Sequence, residues 1–289
     1  MTVEADASEI RHPTAHYHRL SRSGAGLADA LRSAASSLIA YRWQIVQSFK
    51  RDFASLSNMT RWGAVWNFIL PLAPLGVYVM LTSLRVFPKF GGVEAAVYIT
   101  MGVTLWFLFS GLLRTPISTL ESDFKTLARM NMPVFPAIIS GYSQLAFDTC
   151  LRLVVVAIVF ALMQGAPSWK LVYAPIFAIL GSILFAGLGL ILALFNLAYR
   201  DISKLIGVAL TYGIFFSGVI FPLSGLPYID YILAANPFYV FIENIRVATI
   251  GGAIEYPAAL AFFSVAGMFL FAFAVVFAHR AELRLRGLV

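Results

Sequence analysis

Six long apolar segments dominate this chain and limit what it can fold into. A helix needs about 20 apolar residues to cross the roughly 30 Å hydrocarbon core of a bilayer, and each segment is about that long. The sequence is 60% hydrophobic and 12% charged, whereas a typical soluble domain is about 25% charged. We therefore predict an all-α integral membrane protein with six transmembrane helices. The predicted spans are 66–86, 95–113, 137–163, 171–195, 205–222 and 257–278.

The cations of the chain lie mostly in alternate connectors. The cation-rich set holds most of the 21 Lys and Arg residues and consists of 1–65, 114–136, 196–204 and 279–289. The remaining cations are Arg85, Lys89, Lys170 and Arg246, with Arg152 inside an apolar segment. Because cytoplasmic loops retain Lys and Arg, this alternation predicts a multi-pass protein with both termini in the cytoplasm. The net charge of +7 then indicates contact with anionic membrane lipids and not with nucleic acid.

The chain divides into four predicted regions. Residues 1–37 are polar and are expected to be a flexible cytoplasmic tail. In 38–65, apolar residues recur every three or four positions among Lys and Arg, a pattern typical of an amphipathic helix in the cytoplasmic membrane interface. Residues 66–278 form the transmembrane domain, and 279–289 the cytoplasmic C-terminus.

Residues 223–256 form an unusual connector within the transmembrane domain. Prolines and glycines interrupt it, yet it is rich in Tyr, Phe, Ile and Leu. Irregular backbone is tolerated at membrane depth only where protein or a water-filled cavity satisfies its polar groups. We therefore expect one or two short re-entrant helices between the fifth and sixth spans, the alternative being an amphipathic segment on the outer surface.

Two pairs of charged residues lie inside apolar segments. Asp148 and Arg152 are four residues apart and share a helical face. Glu243 and Arg246 form a second local pair in the predicted re-entrant region. A charge at the bilayer centre costs at least about 2.5–3.5 kcal/mol, so each is expected to find a partner or an aqueous cavity. The pairs are interpreted either as structural ion pairs or as parts of a polar pathway.

Motifs for independent catalysis are absent from the sequence. It has no Gly-x-x-x-x-Gly-Lys-Ser/Thr phosphate loop and no His-Glu-x-x-His or Cys-x-x-Cys metal motif. We therefore expect no cofactor or metal site in this chain and no enzyme activity of its own. A membrane-embedded enzyme that modifies lipids or glycans is the less favoured alternative, since it would need more clustered titratable groups.

Three groups of residues, in order along the chain, resemble one transporter family. The first is Lys50-Arg-Asp-Phe53, Thr60-Arg-Trp-Gly63, Val65-Trp66 and Pro71. The second is Tyr98-Ile-Thr-Met-Gly102, Leu105-Trp106, Phe109 and Asn131-Met-Pro-Val-Phe-Pro136. The third is Tyr199-Arg-Asp-Ile202, Phe216-Ser-Gly-Val-Ile-Phe-Pro222, Leu226-Pro227, Asn236-Pro237 and Glu243-x-x-Arg246. Together they resemble the permease subunit of a type-2 ABC transporter of the polysaccharide export class, although Gly218 stands where that family usually has proline.

This resemblance implies a function and a set of partners. It implies export of a lipid-linked polysaccharide such as O-antigen or capsule across the bacterial inner membrane. The partners would be a second copy of the chain and two copies of an ABC ATPase subunit, which would bind the ATP and magnesium. A type-2 ABC exporter of a small lipid or drug is the alternative within the same class.

The resemblance also implies which cytoplasmic residues meet the ATPase. Residues 118–129 read as a short amphipathic coupling helix with an apolar side suited to a partner groove, the alternative being a solvated loop helix. Asp201 is a candidate N-cap for the fifth span. The predicted coupling residues are Leu120, Glu121, Asp123, Phe124, Lys125, Arg129, Arg200 and Asp201.

Aromatic residues suggest how a glycan moves through such a permease. Phe, Trp and Tyr make up 15% of the chain, and sugar rings stack on aromatic faces. The candidate pathway residues are Trp62, Trp66, Tyr98, Trp106, Phe109, Tyr212, Phe215 and Phe216. Their alternative role is the ordinary aromatic belt of membrane proteins.

Overall fold

The computed structural model describes most of the chain. The described residues are 26–58, 65–87, 89–90, 92–129, 133–223 and 228–286. Apart from an isolated bridge between Phe90 and Val93, they form helices, turns and loops, so the described part of the chain is all-α as predicted. The first five helices are α1 (Leu27–Ala40), α2 (Arg42–Asn58), α3 (Trp66–Ser83), α4 (Ala95–Arg129) and α5 (Val134–Met163). A 3-10 helix (Trp169–Tyr173) precedes α6 (Ala174–Ala198), α7 (Asp201–Gly213), α8 (Ile229–Ala235), α9 (Pro237–Ile250) and α10 (Pro257–Arg286).

Five segments in the described residues are long and apolar enough to cross a membrane. They are Trp66–Ser83, Ala95–Ser122, Val134–Met163, Trp169–Ala198 and Pro257–Ala281. The predicted fifth span, 205–222, is not confirmed. Its helix, α7, has 13 residues and is therefore about 20 Å long at a rise of 1.5 Å per residue. The chain turns after Gly213, and Gly218 has a φ of 59°, a left-handed conformation that ends regular helix.

Helix α4 is longer than predicted. The expected span 95–113 and the expected separate coupling helix 118–129 are one continuous helix of 35 residues with Pro116 inside it. No glycine follows Pro116 within the helix, and strong helix formers such as Leu, Glu, Lys, Ala and Arg continue it. The predicted connector is thus a rigid extension of a membrane span.

Helix α4 is also the centre of the packing. Within its membrane-spanning window 72% of the residues are buried, more than in any other span of the described residues. Gly189 of α6 explains how closely the two helices approach, since a Cβ there would lie 2.7 Å from the carbonyl oxygens of Leu112 and Leu113. This is the close helix packing that small residues permit in membranes. The rings of Phe109 and Phe185 stack across the same interface with centroids 5.1 Å apart.

The N-terminal helices differ from the predicted boundaries. Residues 27–37, assigned to the flexible tail, are helical in α1, and a break at Tyr41 separates α1 from α2. The predicted single helix 38–65 is therefore two helices, and its residues 59–64 lie outside the described part. The Ser and Arg residues of α1 made this segment resemble a polar tail in the sequence. In the structure Ala30 is fully buried, because α1 packs against α10 and α5.

Aromatic contacts attach α2 to the spanning helices. The ring of Phe53 meets that of Phe147 on α5 edge to face, with centroids 5.3 Å apart. Asn67 at the start of α3 donates its side-chain amide to the carbonyl oxygen of Phe53 over 2.7 Å. Trp43 is 69% exposed, so α2 presents one apolar side to the spans and a large aromatic ring to its surroundings.

The connectors are sorted between the two ends of the molecule. At one end, the 164–170 connector contacts both other cation-poor connectors: Gln164 accepts from the backbone N–H of Glu94, and Lys170 donates to the carbonyl oxygen of Gly252 over 2.8 Å. At the other end, Asn196 links α4 with the start of α7. The grouping agrees with the alternation of Lys and Arg along the sequence.

Residues 228–256 contain two short helices, as the interrupted pattern predicted. Pro237 occupies the first turn of α9, where its missing N–H costs nothing. The side-chain oxygen of Asn236 caps the same helix by accepting from the N–H groups of Phe238 and Tyr239. The Asn-Pro motif thus defines the start of α9, and Gly251, with a φ of 102°, defines its end.

Candidate functional site

A buried arginine on α9 is the centre of the most polar cluster in the described residues. Arg246 is 1% exposed and forms an ion pair with Glu243, one turn earlier. Its guanidinium lies 3.5 Å from the centre of the Tyr98 ring on α4, and Nη2 donates to the carbonyl oxygen of Gly218 over 3.4 Å. A buried cation needs such compensation, because an unpaired charge in a low-dielectric interior is strongly destabilising.

Gly218 joins this cluster to the turn after α7. Its carbonyl oxygen accepts the Tyr98 hydroxyl over 3.0 Å. A Cβ at this position would lie 2.8 Å from the Tyr239 ring, and the φ of 59° is unfavourable for side chains. Proline, which fixes φ near −65°, is incompatible with this backbone. The departure from the family pattern therefore has a structural reason.

Two tyrosines extend the cluster towards the loop after α9. Tyr239 donates to Glu255 over 3.0 Å, and Tyr256 donates to Asp230 over 2.8 Å. Desolvation and the nearby charges of Glu243 and Glu255 raise the pKa of Tyr239. Desolvation, followed by the hydrogen bond to Asp230, raises the pKa of Tyr256 to about 12. Both phenols are therefore neutral donors near neutral pH.

The backbone of Glu255 is held in place by Asn244. The Asn244 side chain donates to the carbonyl oxygen of Glu255 over 2.9 Å and accepts from its N–H over 3.0 Å. Asn244 is 1% exposed. This two-way pairing fixes the backbone of the loop against α9, while the Glu255 carboxylate accepts from the Tyr239 hydroxyl.

Together these residues line a cavity of about 520 Å³, here called the α9 cavity. Its walls are the start of α4 and the connector before it (Phe90 and Val93), Pro222 and Leu223 after α7, the helices α8 and α9, and the loop that follows α9. The polar and aromatic lining residues are Tyr98, Asp230, Tyr239, Glu243, Arg246, Glu255 and Tyr256. The size lies within the usual range of small-ligand pockets.

The other predicted pair of charges is arranged differently. Within the described residues, no ion pair joins Asp148 and Arg152. Arg152 instead donates Nε to the carbonyl oxygen of Pro71 over 3.0 Å, and its guanidinium lies 4.5 Å from the centre of the Phe107 ring. Asp148 accepts from Gln144 over 3.1 Å. Prolines interrupt the backbone ladder of α3, and the interpretation as a self-satisfied pair missed that carbonyl acceptor.

The predicted pathway aromatics separate into two groups. Tyr98, Trp106 and Phe109 are 6%, 4% and 0% exposed, so they belong to the core of this chain, and their predicted contact with a glycan stays a prediction. Trp106 lies against Phe238, with ring centroids 4.5 Å apart. The spacing of aromatic residues along a helix does not tell whether they face a pathway or the core. The sequence therefore could not separate these three residues from pathway residues.

The remaining predicted aromatics are more accessible. Tyr212, Phe215 and Phe216 are 61%, 47% and 67% exposed, and Trp66 is half-buried. Trp62 lies outside the described residues. Among the predicted pathway aromatics whose side chains the structure describes, those at and after the end of α7 are the most exposed.

The predicted coupling residues are likewise divided. Leu120 is 1% exposed, so it packs in this chain's own core, whereas the prediction placed it on a side free to meet the ATPase; its contact with the ATPase stays a prediction. Glu121, Arg200 and Asp201 are exposed. Asp123, Phe124, Lys125 and Arg129 lie on the extension of α4, but their side chains are outside the described residues.

Asn196 was missed in the sequence and joins these segments. It is 2% exposed, accepts from the backbone N–H of Ser203 over 2.9 Å, and donates to Glu121 over 3.5 Å. It therefore provides the capping interaction expected of Asp201, which is the first residue of α7 and no cap. Its position near the end of an apolar span is a weak signal that sequence reasoning overlooked.

Comparison with known proteins agrees with this architecture. Residues 44–250 match the ABC-2 type transporter family, which is more than half of the chain. The O-antigen export system permease protein RfbA of Myxococcus xanthus is 24% identical over 193 residues, which is 65% of this chain and 71% of that protein. This chain belongs to the ABC-2 type transporter family and is the permease subunit of a type-2 ABC transporter.

Proposed function

We propose that this chain is the transmembrane subunit of an ATP-driven exporter that moves a lipid-linked polysaccharide, such as O-antigen or capsule, across the bacterial inner membrane. The observation that carries the proposal is the similarity to an O-antigen export permease across 71% of that protein's length. The family motifs in the sequence support the same class of substrate. The chain provides the pathway, and a separate ATPase provides the energy.

A homodimer is the proposed functional unit. Helix α7 supports it, since the exposed residues Leu205, Val208 and Tyr212 recur every three or four positions and therefore share one face. A second copy is the proposed occupant of this face. Among soluble homo-oligomers closed symmetry is the rule and two-fold dimers are the commonest, and we propose the same arrangement here.

Two ATPase subunits are proposed to bind the end of the molecule that contains Asn196. The α4 extension and the turn between α6 and α7 lie together there through Glu121, Asn196 and Ser203. Arg200 and Asp201 are exposed on that turn. A displacement of either segment would be transmitted to the other, because the buried side-chain amide of Asn196 hydrogen-bonds to both.

The α8–α9 region is proposed to lie on the periplasmic side as a re-entrant element. The grouping of the cation-poor connectors at that end supports this placement, together with the rule that Lys and Arg accumulate on the cytoplasmic side. The buried charges of α9, Glu243 and Arg246, pair with each other within the protein, as ionisable groups at membrane depth usually do.

Deletion of the gene in its native bacterium tests the proposed function. We expect surface polysaccharide to disappear and lipid-linked polymer to accumulate on the cytoplasmic side, with recovery when the gene is supplied from a plasmid. An unchanged surface polysaccharide with no internal accumulation would refute the export function. Accumulation of a small lipid or sensitivity to a drug would favour the alternative exporter.

A further inference from the structure

We propose that the α9 cavity is a sugar-binding site that prefers neutral sugars to anionic ones. The inference rests on the proposed function and names the class of glycan unit that this permease contacts. It is carried by the chemistry of the cavity wall, which combines aromatic faces, carboxylate acceptors and an excess of negative charge.

Two aromatic rings provide apolar faces at the wall. The rings of Tyr239 and Tyr256 meet edge to face with centroids 6.0 Å apart, and both residues line the cavity. Tyr256 is half-buried, so part of its ring remains accessible. A pyranose ring carries C–H groups on its faces and can pack against such a surface.

Three carboxylates provide acceptors for sugar hydroxyl groups. Asp230, Glu243 and Glu255 each receive one hydrogen bond from a neighbouring side chain of the cluster. An ionised carboxylate has about four acceptor positions, so each keeps capacity for a hydroxyl donor. The Glu255 backbone is already fixed by Asn244 and its carboxylate is held by Tyr239, which reduces the entropy lost on binding.

The balance of charge selects among ligands. The three carboxylates face one arginine, and that arginine is 1% exposed and engaged with Glu243. Like charges brought together in a partly desolvated cavity are unfavourable, so a phosphate, uronate or sulfate group is disfavoured. A metal ion is not indicated either: no group of three His, Cys, Asp or Glu in the described residues is arranged to hold one. A neutral, hydroxyl-rich ligand fits both constraints.

A binding measurement on the intact transporter tests this site. The complex with its ATPase, in lipid nanodiscs, is titrated with a neutral malto-oligosaccharide and with an oligogalacturonate of equal length. We expect the neutral sugar to bind at least tenfold more tightly. Failure of the neutral sugar to bind, or equal or tighter binding of the acidic one, would overturn the proposal.

Variants locate the binding in the α9 cavity. Tyr256→Ala removes an aromatic face and is expected to weaken binding of the neutral sugar about tenfold. Glu255→Gln removes a negative charge and is expected to reduce the difference in affinity between the neutral and the acidic sugar. Tyr231→Ala is the control, because Tyr231 is 78% exposed on α8 and does not line the cavity. If Tyr256→Ala and Glu255→Gln bound both sugars like the wild type, or if Tyr231→Ala weakened binding as much as Tyr256→Ala, the assignment of the site to the α9 cavity would be wrong.

The same variants separate this inference from the proposed function. Suppose that gene deletion abolishes export, but that Tyr256→Ala and Glu255→Gln export normally and bind sugar like the wild type. That result would refute the proposed sugar site in the α9 cavity and leave the proposed export function intact. Export that persists after deletion would refute the proposed function, whatever the cavity binds.

Discussion

At the scale of single residues, this protein depends on a few polar and glycine positions inside an apolar fold. Arg246 is stabilised by an anion, an aromatic face and a carbonyl oxygen. Gly102 leaves room for it, since a Cβ there would lie 2.6 Å from Nη2. Substitutions at such positions are poorly tolerated, because each position lies in close contact with neighbouring atoms around a buried charge.

Gly218→Ala is expected to destabilise the protein. The left-handed backbone costs a non-glycine residue about 1–2 kcal/mol, and the contact with the Tyr239 ring adds overpacking of about 1–3 kcal/mol. Gly165→Ala is the matched control: its φ is also positive, at 86°, but nothing lies within 4 Å of its Cβ. Thermal unfolding in nanodiscs should show a larger loss for Gly218→Ala, and equal losses would contradict the steric account.

Asn196→Ala is expected to loosen the start of α7. Loss of a capping side chain typically costs about 1 kcal/mol, and here the Ser203 N–H loses its acceptor. Hydrogen exchange at Ser203 should accelerate about fivefold, whereas exchange in the middle of α5 should not change. Unaltered protection at Ser203 would show that Asn196 does not hold this turn.

At the scale of elements, what the sequence predicted well was set by local pattern. Apolar length located the spans near α3, α5, α6 and α10, and the interrupted pattern of 223–256 indicated short helices there, because bilayer thickness and helix-breaking residues act over few residues. The continuity of α4 through Pro116 and the shortness of α7 were missed. Both depend on what packs around the helix: Leu120 enters the core, and Gly218 meets Tyr239 and Tyr98.

The exposed face of α7 gives a prediction at this scale. With Cys150 replaced by serine, single cysteines at Leu205, Val208 and Tyr212 should form disulfide-linked dimers when membranes are oxidised, at one or more of these positions. Val154→Cys on α5 is the control, since Val154 is 59% exposed but lies on a helix outside the proposed interface. No dimer from any of the three α7 positions would contradict the proposed homodimer contact.

At the scale of the whole molecule, the sequence predicted the class of protein better than the location of its sites. The bilayer constrains the hydropathy of every spanning segment and the placement of Lys and Arg in every connector. Six apolar segments were therefore enough to predict a multi-pass membrane protein. The α9 cavity brings Tyr98 of α4 together with Asp230, Tyr239 and Glu255 of the distant segment 228–256. No local pattern indicates that meeting, and Tyr98 was accordingly assigned to a pathway and not to a buried cluster.

The two ends of the molecule have separate proposed roles that the membrane domain connects. Asn196 ties the α4 extension to α7 at the end where the ATPase is proposed to bind. Tyr98 on the same α4 contacts Arg246 and Gly218 at the opposite end. Helix α4 is therefore a continuous element between the proposed site of ATP-driven motion and the proposed sugar site.

The central claim is that this chain, powered by its ATPase, moves a lipid-linked glycan out of the cytoplasmic leaflet. Inverted inner-membrane vesicles that contain the transporter and radiolabelled lipid-linked glycan test it most directly. The expected result is that ATP makes the glycan resistant to added glycosidase within minutes, and that vesicles without this chain show no such protection. Glycan that stays accessible in the presence of ATP and both subunits would contradict the account.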